Sequence, residues 1–180
     1  MLISGRKRFV FIHLPRTAGF SVEAALNDWS DLNSIPIFNG HVTANLLSRL
    51  VLNWTSYFSF AFVRNPWDYW VSMYHHILTT GPTHPEWAHV ASLRTFRCYM
   101  CDYVLERNTV SPYLNQIDYV TDYHGRVIVS YVGRYERLKQ QFSHCCRQIG
   151  VQNVELPTLN HSKRGPVSYT HLTLPTNREV

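Results

Sequence analysis

The sequence contains no long apolar run, and this absence narrows the classes of protein to which the chain can belong. No stretch of about 18 consecutive apolar residues occurs, so no membrane-spanning helix is predicted. Residues 1–8 also lack the apolar core of a secretory signal. We therefore expect a soluble segment without a membrane span.

Charged residues are scarce as well. They make up 16% of the 180 residues, against 45% for hydrophobic residues, which predicts one globular domain with a sizeable core. The net charge is +5, and the basic residues occur singly or in short groups such as residues 6–8. Because no long basic stripe is present, the excess favours small anions or an acidic polysaccharide, and no nucleic-acid partner is expected.

Two familiar site signatures are missing. Cys98 and Cys101 form a CxxC pair, but no second pair and no spaced histidines complete a zinc set, so no metal is expected. The four cysteines are instead expected to be buried free thiols. The GxxxxGK[ST] loop of nucleoside-triphosphate enzymes is also absent, which disfavours a P-loop kinase.

The carboxyl-terminal segment does not resemble the end of a domain. Residues 167–176, VSYTHLTLPT, resemble the translated read-through of a transposase-based sequencing adapter. We therefore expect residues 1–166 to form the domain, truncated at its carboxyl end, and residues 167–180 to be a non-native tail. Resequencing of the source DNA tests this expectation.

Short apolar runs alternate with helical patterns along the chain. The runs predict buried strands over residues 9–12, 57–63 and 126–132. The patterns predict helices over residues 21–26, 67–77, 87–106 (one long helix or two short ones) and 135–149, the last closed by Gly150. The alternation predicts an α/β, P-loop-like fold with three layers, in which helices cover both faces of a mostly parallel central sheet.

The segment after the first predicted strand has the features of an anion-binding loop. A loop that leaves a parallel strand and enters a helix presents free backbone N–H groups and the positive end of the helix dipole. Gly19 allows close approach of a ligand, and Arg16 supplies positive charge. Thr17 and Ser21 supply hydroxyl groups. An ordinary capped loop uses the same residue types, so spacing alone leaves both interpretations open.

A second candidate site follows the next predicted strand. Arg64 lies at the end of that strand, and Ser72 lies two helical turns further on. Arginine suits phosphate because its donors bind oxygen atoms in pairs. The alternative is a local salt bridge between Arg64 and Asp68, four residues later. Taken alone, the motif favours the salt bridge.

These two motifs carry a resemblance to a known family. Residues 11–21, FIHLPRTAGFS, resemble the 5′-phosphosulfate loop of the carbohydrate sulfotransferases, FxHIPKTAGTS. Residues 62–74, FVRNPWDYWVSMY, are similar to the 3′-phosphate motif of that family, FVRNPxDRxxSxY. The resemblance implies transfer of a sulfuryl group from 3′-phosphoadenosine 5′-phosphosulfate (PAPS) to an acceptor hydroxyl, with a carbohydrate as the expected acceptor. Arg16 and Phe20 depart from the family, which has lysine and threonine there.

The resemblance also implies roles for individual residues. Arg16 is expected to stabilise the leaving phosphate. His41 lies in a GHV segment similar to one that carries a catalytic histidine in hexuronyl sulfotransferases, and it is expected to take the acceptor proton. His13 is expected to be structural. The residues expected to bind the donor are Pro15, Arg16, Thr17, Ala18, Gly19, Phe20, Ser21, Arg64 and Ser72.

Three further segments resemble the family, at residues 111–119, 132–138 and 156–164, so that the likeness spans residues 9–164. Within the second, Tyr135 and Glu136 are expected to be structural. Within the third, Lys163 and Arg164 are expected either to close over the nucleotide or to form a solvated turn.

Two other functions stay open at this point. One is a non-catalytic domain that retains the nucleotide or sugar pocket, and the other, less favoured, is a P-loop kinase. The expected location is the bacterial cytoplasm, or the Golgi lumen for a eukaryotic protein whose anchor lies outside this chain.

Overall fold

In the described part of the chain, four short strands form one sheet. The structure is a computed structural model and describes residues 1–31, 41–101 and 115–159. The strands are β1 (Leu2–Ser4), β2 (Phe9–Ile12), β3 (Phe58–Val63) and β4 (Tyr131–Arg134), in the spatial order β1-β2-β3-β4. Strands β2, β3 and β4 run parallel, and β1 pairs with β2 in the antiparallel sense. The carboxyl ends of the three parallel strands therefore meet at one edge of the sheet.

Helices cover both faces of this sheet. They are α1 (Gly19–Leu26), α2 (Ala44–Leu50), α3 (Pro66–Thr80), α4 (Trp87–Ser92), α5 (Phe96–Cys98) and α6 (Leu138–Gln148). Short 3-10 turns occupy Asn27–Trp29, Trp54–Ser56, Gly81–Thr83, Gln116–Tyr119 and Tyr135–Arg137. Helices α1 and α6 pack on one face of the sheet and α2 packs on the other, which confirms the predicted α/β fold. In the described part of the chain, no helix has the length and apolar character needed to cross a membrane.

The apolar runs form strands because their side chains fill the core on both faces of the sheet. Phe11, Phe60 and Phe62 are fully buried on the face covered by α1 and α6. Ile12 and Ala61 are buried on the face covered by α2. Each buried phenylalanine contributes about 1.5–3 kcal/mol relative to an exposed one. The buried strands therefore hold the loops at their carboxyl ends in fixed positions.

The strand predicted over residues 126–132 is wrong in its bounds, because β4 begins only at Tyr131. Just before β4, the side chains of two serines take the place of backbone hydrogen bonds between the strands. The N–H of Ser59 donates to Oγ of Ser130 at 3.1 Å, and the N–H of Ser130 donates to Oγ of Ser59 at 3.0 Å. Further upstream, the N–H of Ile128 donates to the carbonyl of Val120 at 3.0 Å. This part of the apolar run therefore forms backbone hydrogen bonds with residues near Val120 and not with β3.

Two predicted helices differ from the structure in detail. Over residues 87–101 the chain forms two short helices, which separate where Arg94 adopts a left-handed φ of 61°. The helix predicted from residue 135 begins with a 3-10 turn, and the α-helix itself starts at Leu138. Gly150 follows its end with a φ of 65°, as predicted. Strand β1 and helix α2 were not predicted.

The four cysteines are free thiols with different exposure. Cys145 and Cys146 are buried, as expected, and burial raises the pKa of the Cys145 thiol to about 12. The expectation is wrong for Cys98 and Cys101, which are exposed.

Candidate functional site

A cleft of about 1210 Å³ lies at the carboxyl edge of the parallel strands. Its walls come from the β2–α1 loop, α3, residues 135–140 and residues 156–159. Ligands commonly bind at this edge of a parallel sheet, because helix N-termini and free backbone groups converge there. Four cationic side chains line the cleft: Arg16, Arg64, Arg137 and Lys139. The charge of the walls suits an anionic ligand.

The loop from β2 to α1 has a strained backbone. Arg16 and Ala18 adopt left-handed conformations, with φ of 57° and 63°, which cost non-glycine residues about 1–3 kcal/mol each. Helix α1 then begins at Gly19 without a side-chain cap. The N–H of Ser21 donates to the Ala18 carbonyl at 3.0 Å, which leaves the N–H groups of Gly19 and Phe20 without an acceptor among the described residues. Pro15 lines the cleft beside Arg16, Ala18 and Gly19. A strained loop that enters an uncapped helix end concentrates N–H groups and positive dipole, as an anion site requires.

Gly19 packs against His13 so closely that no side chain fits between them. A Cβ atom at Gly19 would lie 1.8 Å from Cδ2 of His13. We therefore expect Gly19→Ala to displace His13 and to lower the free energy of unfolding by about 1–3 kcal/mol. Ala18→Gly is the matched control, because glycine adopts the left-handed conformation there without strain. Urea unfolding followed by circular dichroism compares the two, and an unchanged free energy for Gly19→Ala would contradict the close packing.

The remaining side chains of the loop have different surroundings. Thr17 is buried and does not line the cleft, and its Oγ1 donates to the carbonyl of Leu14 at 2.9 Å. Ser21 does line the cleft, and its Oγ accepts from the N–H of Leu159 at 3.2 Å. Phe20 lines the cleft with 59% of its surface exposed. The side chains of Ser21 and Phe20 therefore line the cleft, whereas the Thr17 hydroxyl is used within the loop.

The two predicted anion motifs meet at this edge of the sheet. Nε of Arg16 donates to Oγ of Ser72 on α3 at 3.1 Å. Nη1 of Arg64, at the end of β3, donates to the carbonyl of Arg16 at 3.3 Å. Ser72 is buried, and all three residues line the same cleft. The structure thus brings the residues of both motifs together, while their roles in binding stay predictions.

Among the described residues, no carboxylate forms an ion pair with the guanidinium of Arg64. Its Cζ lies 4.4 Å from the centre of the Tyr135 ring, within cation–π range. Among the described residues no ion pair forms between Arg64 and Asp68, so the local salt bridge considered from the sequence is absent. Nε of Arg64 is buried and has no hydrogen-bond partner in the described part of the chain. A buried donor of this kind costs about 1–3 kcal/mol until an acceptor reaches it.

Gln116 and Glu136 fix the backbone at the end of β3. Oε1 of Gln116 accepts from the N–H of Arg64 at 2.7 Å, and its Nε2 donates to the Arg64 carbonyl at 2.9 Å. Glu136 accepts from the N–H of Asn65 at 2.7 Å. Sequence reasoning missed Gln116 and gave Tyr135 and Glu136 no place in the site. Each lies in a segment that resembles the family, and this likeness was the available signal.

His41 lies against His13 at the side of the cleft. Its Nδ1 is 2.9 Å from the carbonyl oxygen of His13. Because a carbonyl only accepts, Nδ1 carries the hydrogen, and Nε2 of the neutral ring carries the lone pair. Burial of the ring lowers the pKa of His41 to about 4, since desolvation disfavours the imidazolium, although one side of the residue stays exposed. His41 is therefore neutral at pH 7, with a nitrogen able to accept a proton.

Several predicted features lie outside the described residues. These are residues 102–106 of the helix predicted over residues 87–106, the first part of the segment at residues 111–119, and residues 160–180, which include Lys163, Arg164 and the expected tail. Within the described residues, no group of three histidine, cysteine, aspartate or glutamate side chains is placed to hold a metal ion.

A model of the sulfotransferase family matches residues 1–173, a range that includes both anion motifs and His41. No curated protein and no solved structure matched the chain. The family match continues past residue 166, and the domain boundary expected there stays a prediction.

Proposed function

The chain belongs to the sulfotransferase family, and on this basis we propose that it moves a sulfuryl group from PAPS to a hydroxyl of a carbohydrate acceptor. The observation that carries the proposal is the contact between the two anion motifs, through the hydrogen bonds of Arg16 with Ser72 and of Arg64 with the Arg16 carbonyl. PAPS has anionic groups at the 5′ and 3′ positions of one ribose. It therefore needs two neighbouring cationic sites of this kind.

The β2–α1 loop would hold the 5′-phosphosulfate. The helix dipole contributes only about 0.3–1 kcal/mol to anion binding. Charge-assisted hydrogen bonds contribute about 1.5–3 kcal/mol each, so Arg16, Ser21 and the backbone N–H groups of the loop would supply most of the affinity. The strain at Arg16 and Ala18 supports this role, because left-handed non-glycine residues concentrate at ligand sites.

Arg64 and Ser72 would hold the 3′-phosphate. The buried Nε of Arg64 needs an acceptor, and a phosphate oxygen would supply one. The guanidinium stacks on Tyr135 and its Nη1 already donates to the Arg16 carbonyl, so Nε and Nη2 would be the donors to the phosphate. Gln116 fixes the backbone of Arg64. Binding of the ligand would therefore cost little conformational entropy at this residue.

The chemical roles follow from this arrangement. The donor supplies a sulfuryl group attached to a phosphate that can leave with the bonding electrons. As the acceptor oxygen bonds to sulfur and the bond from sulfur to the bridging oxygen breaks, the acceptor proton passes to Nε2 of His41. Arg16 stabilises the charge that develops on the leaving phosphate. Its planar guanidinium grips two oxygen atoms, whereas the lysine of related loops offers a single point charge.

The loop motif places Phe20 among the residues expected to bind the donor, but the position of its side chain favours contact with a ring-shaped acceptor. Its side chain is exposed within the cleft, and its ring centroid lies 5.0 Å from that of His13, which in turn contacts His41. An exposed aromatic face beside the base offers a packing surface for the C–H face of a sugar.

We expect Phe20→Ala to raise KM for a sugar acceptor by about 2- to 12-fold, which corresponds to the roughly 0.5–1.5 kcal/mol of a ring contact. Donor affinity is expected to stay within about twofold, because a phenyl ring makes no charge-assisted bond to phosphate. Steady-state kinetics with each substrate varied in turn measures both. Weaker donor binding with an unchanged acceptor KM would place Phe20 in the donor site instead.

A sulfuryl-transfer assay tests the proposed function. The full chain is incubated with sulfur-labelled PAPS and a panel of monosaccharides, oligosaccharides and simple phenols, and a labelled sugar ester is the expected product. Protection against thermal unfolding by adenosine 3′,5′-bisphosphate, without transfer to any acceptor, would indicate a non-catalytic nucleotide-binding domain. Phosphate transfer from ATP with Mg²⁺ would indicate a kinase.

A further inference from the structure

Glu23 and His13 form a hydrogen-bonded pair directly behind the candidate base. Oε1 of Glu23 lies 2.8 Å from Nδ1 of His13. Burial alone would raise the pKa of Glu23, but hydrogen bonds from His13 and from the Met1 amine outweigh it and lower the pKa to about 2. Glu23 is therefore a fixed negative charge at neutral pH. Because a carboxylate only accepts, Nδ1 of His13 carries the hydrogen.

The imidazole of His13 is confined on its other sides as well. Only 5% of the residue is exposed. The backbone of Gly19 leaves no room for a methyl group beside the ring, and the Phe20 ring contacts it edge to face at 5.0 Å. Packing therefore fixes the position of the His13 ring, and the hydrogen bond to Glu23 fixes its rotation about χ2.

His13 in turn holds His41 at two points. Its carbonyl accepts from Nδ1 of His41 at 2.9 Å. Its ring meets the His41 ring at 86°, with centroids 4.7 Å apart. One residue therefore contacts both the donor loop, at Gly19, and the candidate base.

We propose that Glu23 and His13 are positioning residues for sulfuryl transfer: the Glu23 carboxylate fixes the His13 imidazole, and His13 fixes the orientation and tautomer of His41. The inference rests on the proposed role of His41 as the base. The logic is that of a base oriented by a third group, as the aspartate of a serine-protease triad orients its histidine. Here the carboxylate acts through an intermediate residue and does not touch the base.

The test uses Glu23→Ala and Glu23→Gln in the full chain. Glu23→Ala is expected to lower kcat by about 10- to 100-fold, the range seen when a group that orients a functional histidine is lost. Glu23→Gln keeps an acceptor for Nδ1–H of His13 and is expected to recover most of this loss. The dissociation constant of adenosine 3′,5′-bisphosphate is expected to stay within about twofold in both variants, since Glu23 lies outside both anion motifs, residues 11–21 and 62–74, and does not line the cleft.

Nitrogen-15 NMR of His41 separates positioning from general loss of structure. The folded protein is expected to show one tautomer, with hydrogen on Nδ1. In Glu23→Ala the His13 carbonyl remains, but a loosened His13 ring no longer holds the His41 ring against that carbonyl, so a mixture of both tautomers is expected. Asp31→Ala is the matched control, because Asp31 accepts from the N–H groups of Gly5 and Arg6 at 2.6 and 2.9 Å and does not line the cleft. It is expected to lose stability while the His41 tautomer and kcat stay unchanged.

Wild-type kcat together with a single His41 tautomer in Glu23→Ala would overturn the proposal. If Glu23→Ala does not fold, His13→Asn replaces it, because asparagine keeps an N–H for Glu23 but lacks the ring that contacts His41. A wild-type kcat and an unchanged His41 tautomer in that variant would equally overturn the proposal. Absence of transfer by the wild type, or full activity of His41→Ala, would reject the proposed function instead. The tautomer measurement needs no turnover and still decides whether the pair positions His41.

Discussion

Arg64→Ala is expected to weaken the binding of adenosine 3′,5′-bisphosphate by about 10²- to 10⁴-fold. The guanidinium has a buried Nε without a partner among the described residues, at the place proposed for the 3′-phosphate. Loss of two charge-assisted hydrogen bonds costs about 3–6 kcal/mol at roughly 1.5–3 kcal/mol each. Isothermal titration calorimetry with the purified chain measures the change directly.

The same substitution is expected to leave the ligand-free protein about as stable as before. Removal of Arg64 relieves an unsatisfied buried donor, worth about 1–3 kcal/mol. It also removes the stacking on Tyr135, worth about 0.5–2 kcal/mol, and the 3.3 Å hydrogen bond to the Arg16 carbonyl, worth about 0.5–1.5 kcal/mol. These contributions offset each other, so thermal unfolding without ligand should change little. Weak binding by a stable variant would then report on the site and not on the fold.

Two further variants define the specificity of this effect. Arg64→Lys keeps the charge but loses the paired donors, so an intermediate affinity is expected. Arg49→Ala removes an exposed arginine from α2, on the other face of the sheet, and should leave affinity unchanged. If Arg64→Ala and Arg49→Ala bind the nucleotide equally well, the second motif does not hold the 3′-phosphate.

The parts of the fold that could be predicted are those whose signal is local. Strand β2 matches its predicted bounds and β3 begins one residue later than predicted, because each is a continuous apolar run buried on both faces. Helix α3 contains the helix predicted over residues 67–77, and it begins at Pro66 because the Asn65 side chain accepts from the N–H of Trp67 at 3.0 Å. In these segments the pattern and the burial agree.

The parts that were missed depend on contacts between distant residues. Strand β1 has only three residues, and its pairing with β2 is supported by Asp31, which accepts from the backbone at the turn between the two strands. Strand β4 starts late because Ser59 and Ser130 use their hydroxyls in place of the ladder, an exchange between positions 71 residues apart. Hydrophobic periodicity is a local pattern, so it does not predict hydrogen bonds between residues that lie far apart in the sequence.

In the candidate site, too, the features with a local signal could be predicted and the contacts between distant residues could not. Its two anion motifs could be found because each is a strand end followed by a helix, and parallel strands bring such ends to one edge. The direct contact of Arg16 with Ser72, and of Arg64 with Tyr135, depends on side-chain reach across the cleft. Pairing of Arg64 with Asp68 suited the helical spacing, but Arg64 precedes the helix and turns toward Tyr135 instead.

His41→Ala is expected to lower kcat by about 10²- to 10⁴-fold, the usual contribution of a positioned general base. Affinity for adenosine 3′,5′-bisphosphate should stay within about twofold, because His41 belongs to neither anion motif. Single-turnover sulfuryl transfer and calorimetry measure these two quantities separately. His124→Ala is the matched control, since His124 is exposed and does not line the cleft.

The pH dependence of kcat gives a second, independent test of this base. Imidazole accepts a proton only while neutral, so activity is lost as pH falls through the pKa of His41. Burial lowers that pKa to about 4, below the ordinary value of about 6.5. The wild-type kcat should therefore hold as pH falls through the ordinary histidine range and decline only nearer pH 4, and His41→Ala should lack this decline. Full activity of His41→Ala would assign the proton to another group, and a wild-type decline centred near pH 6.5 would mean that His41 is not shielded from water during the reaction.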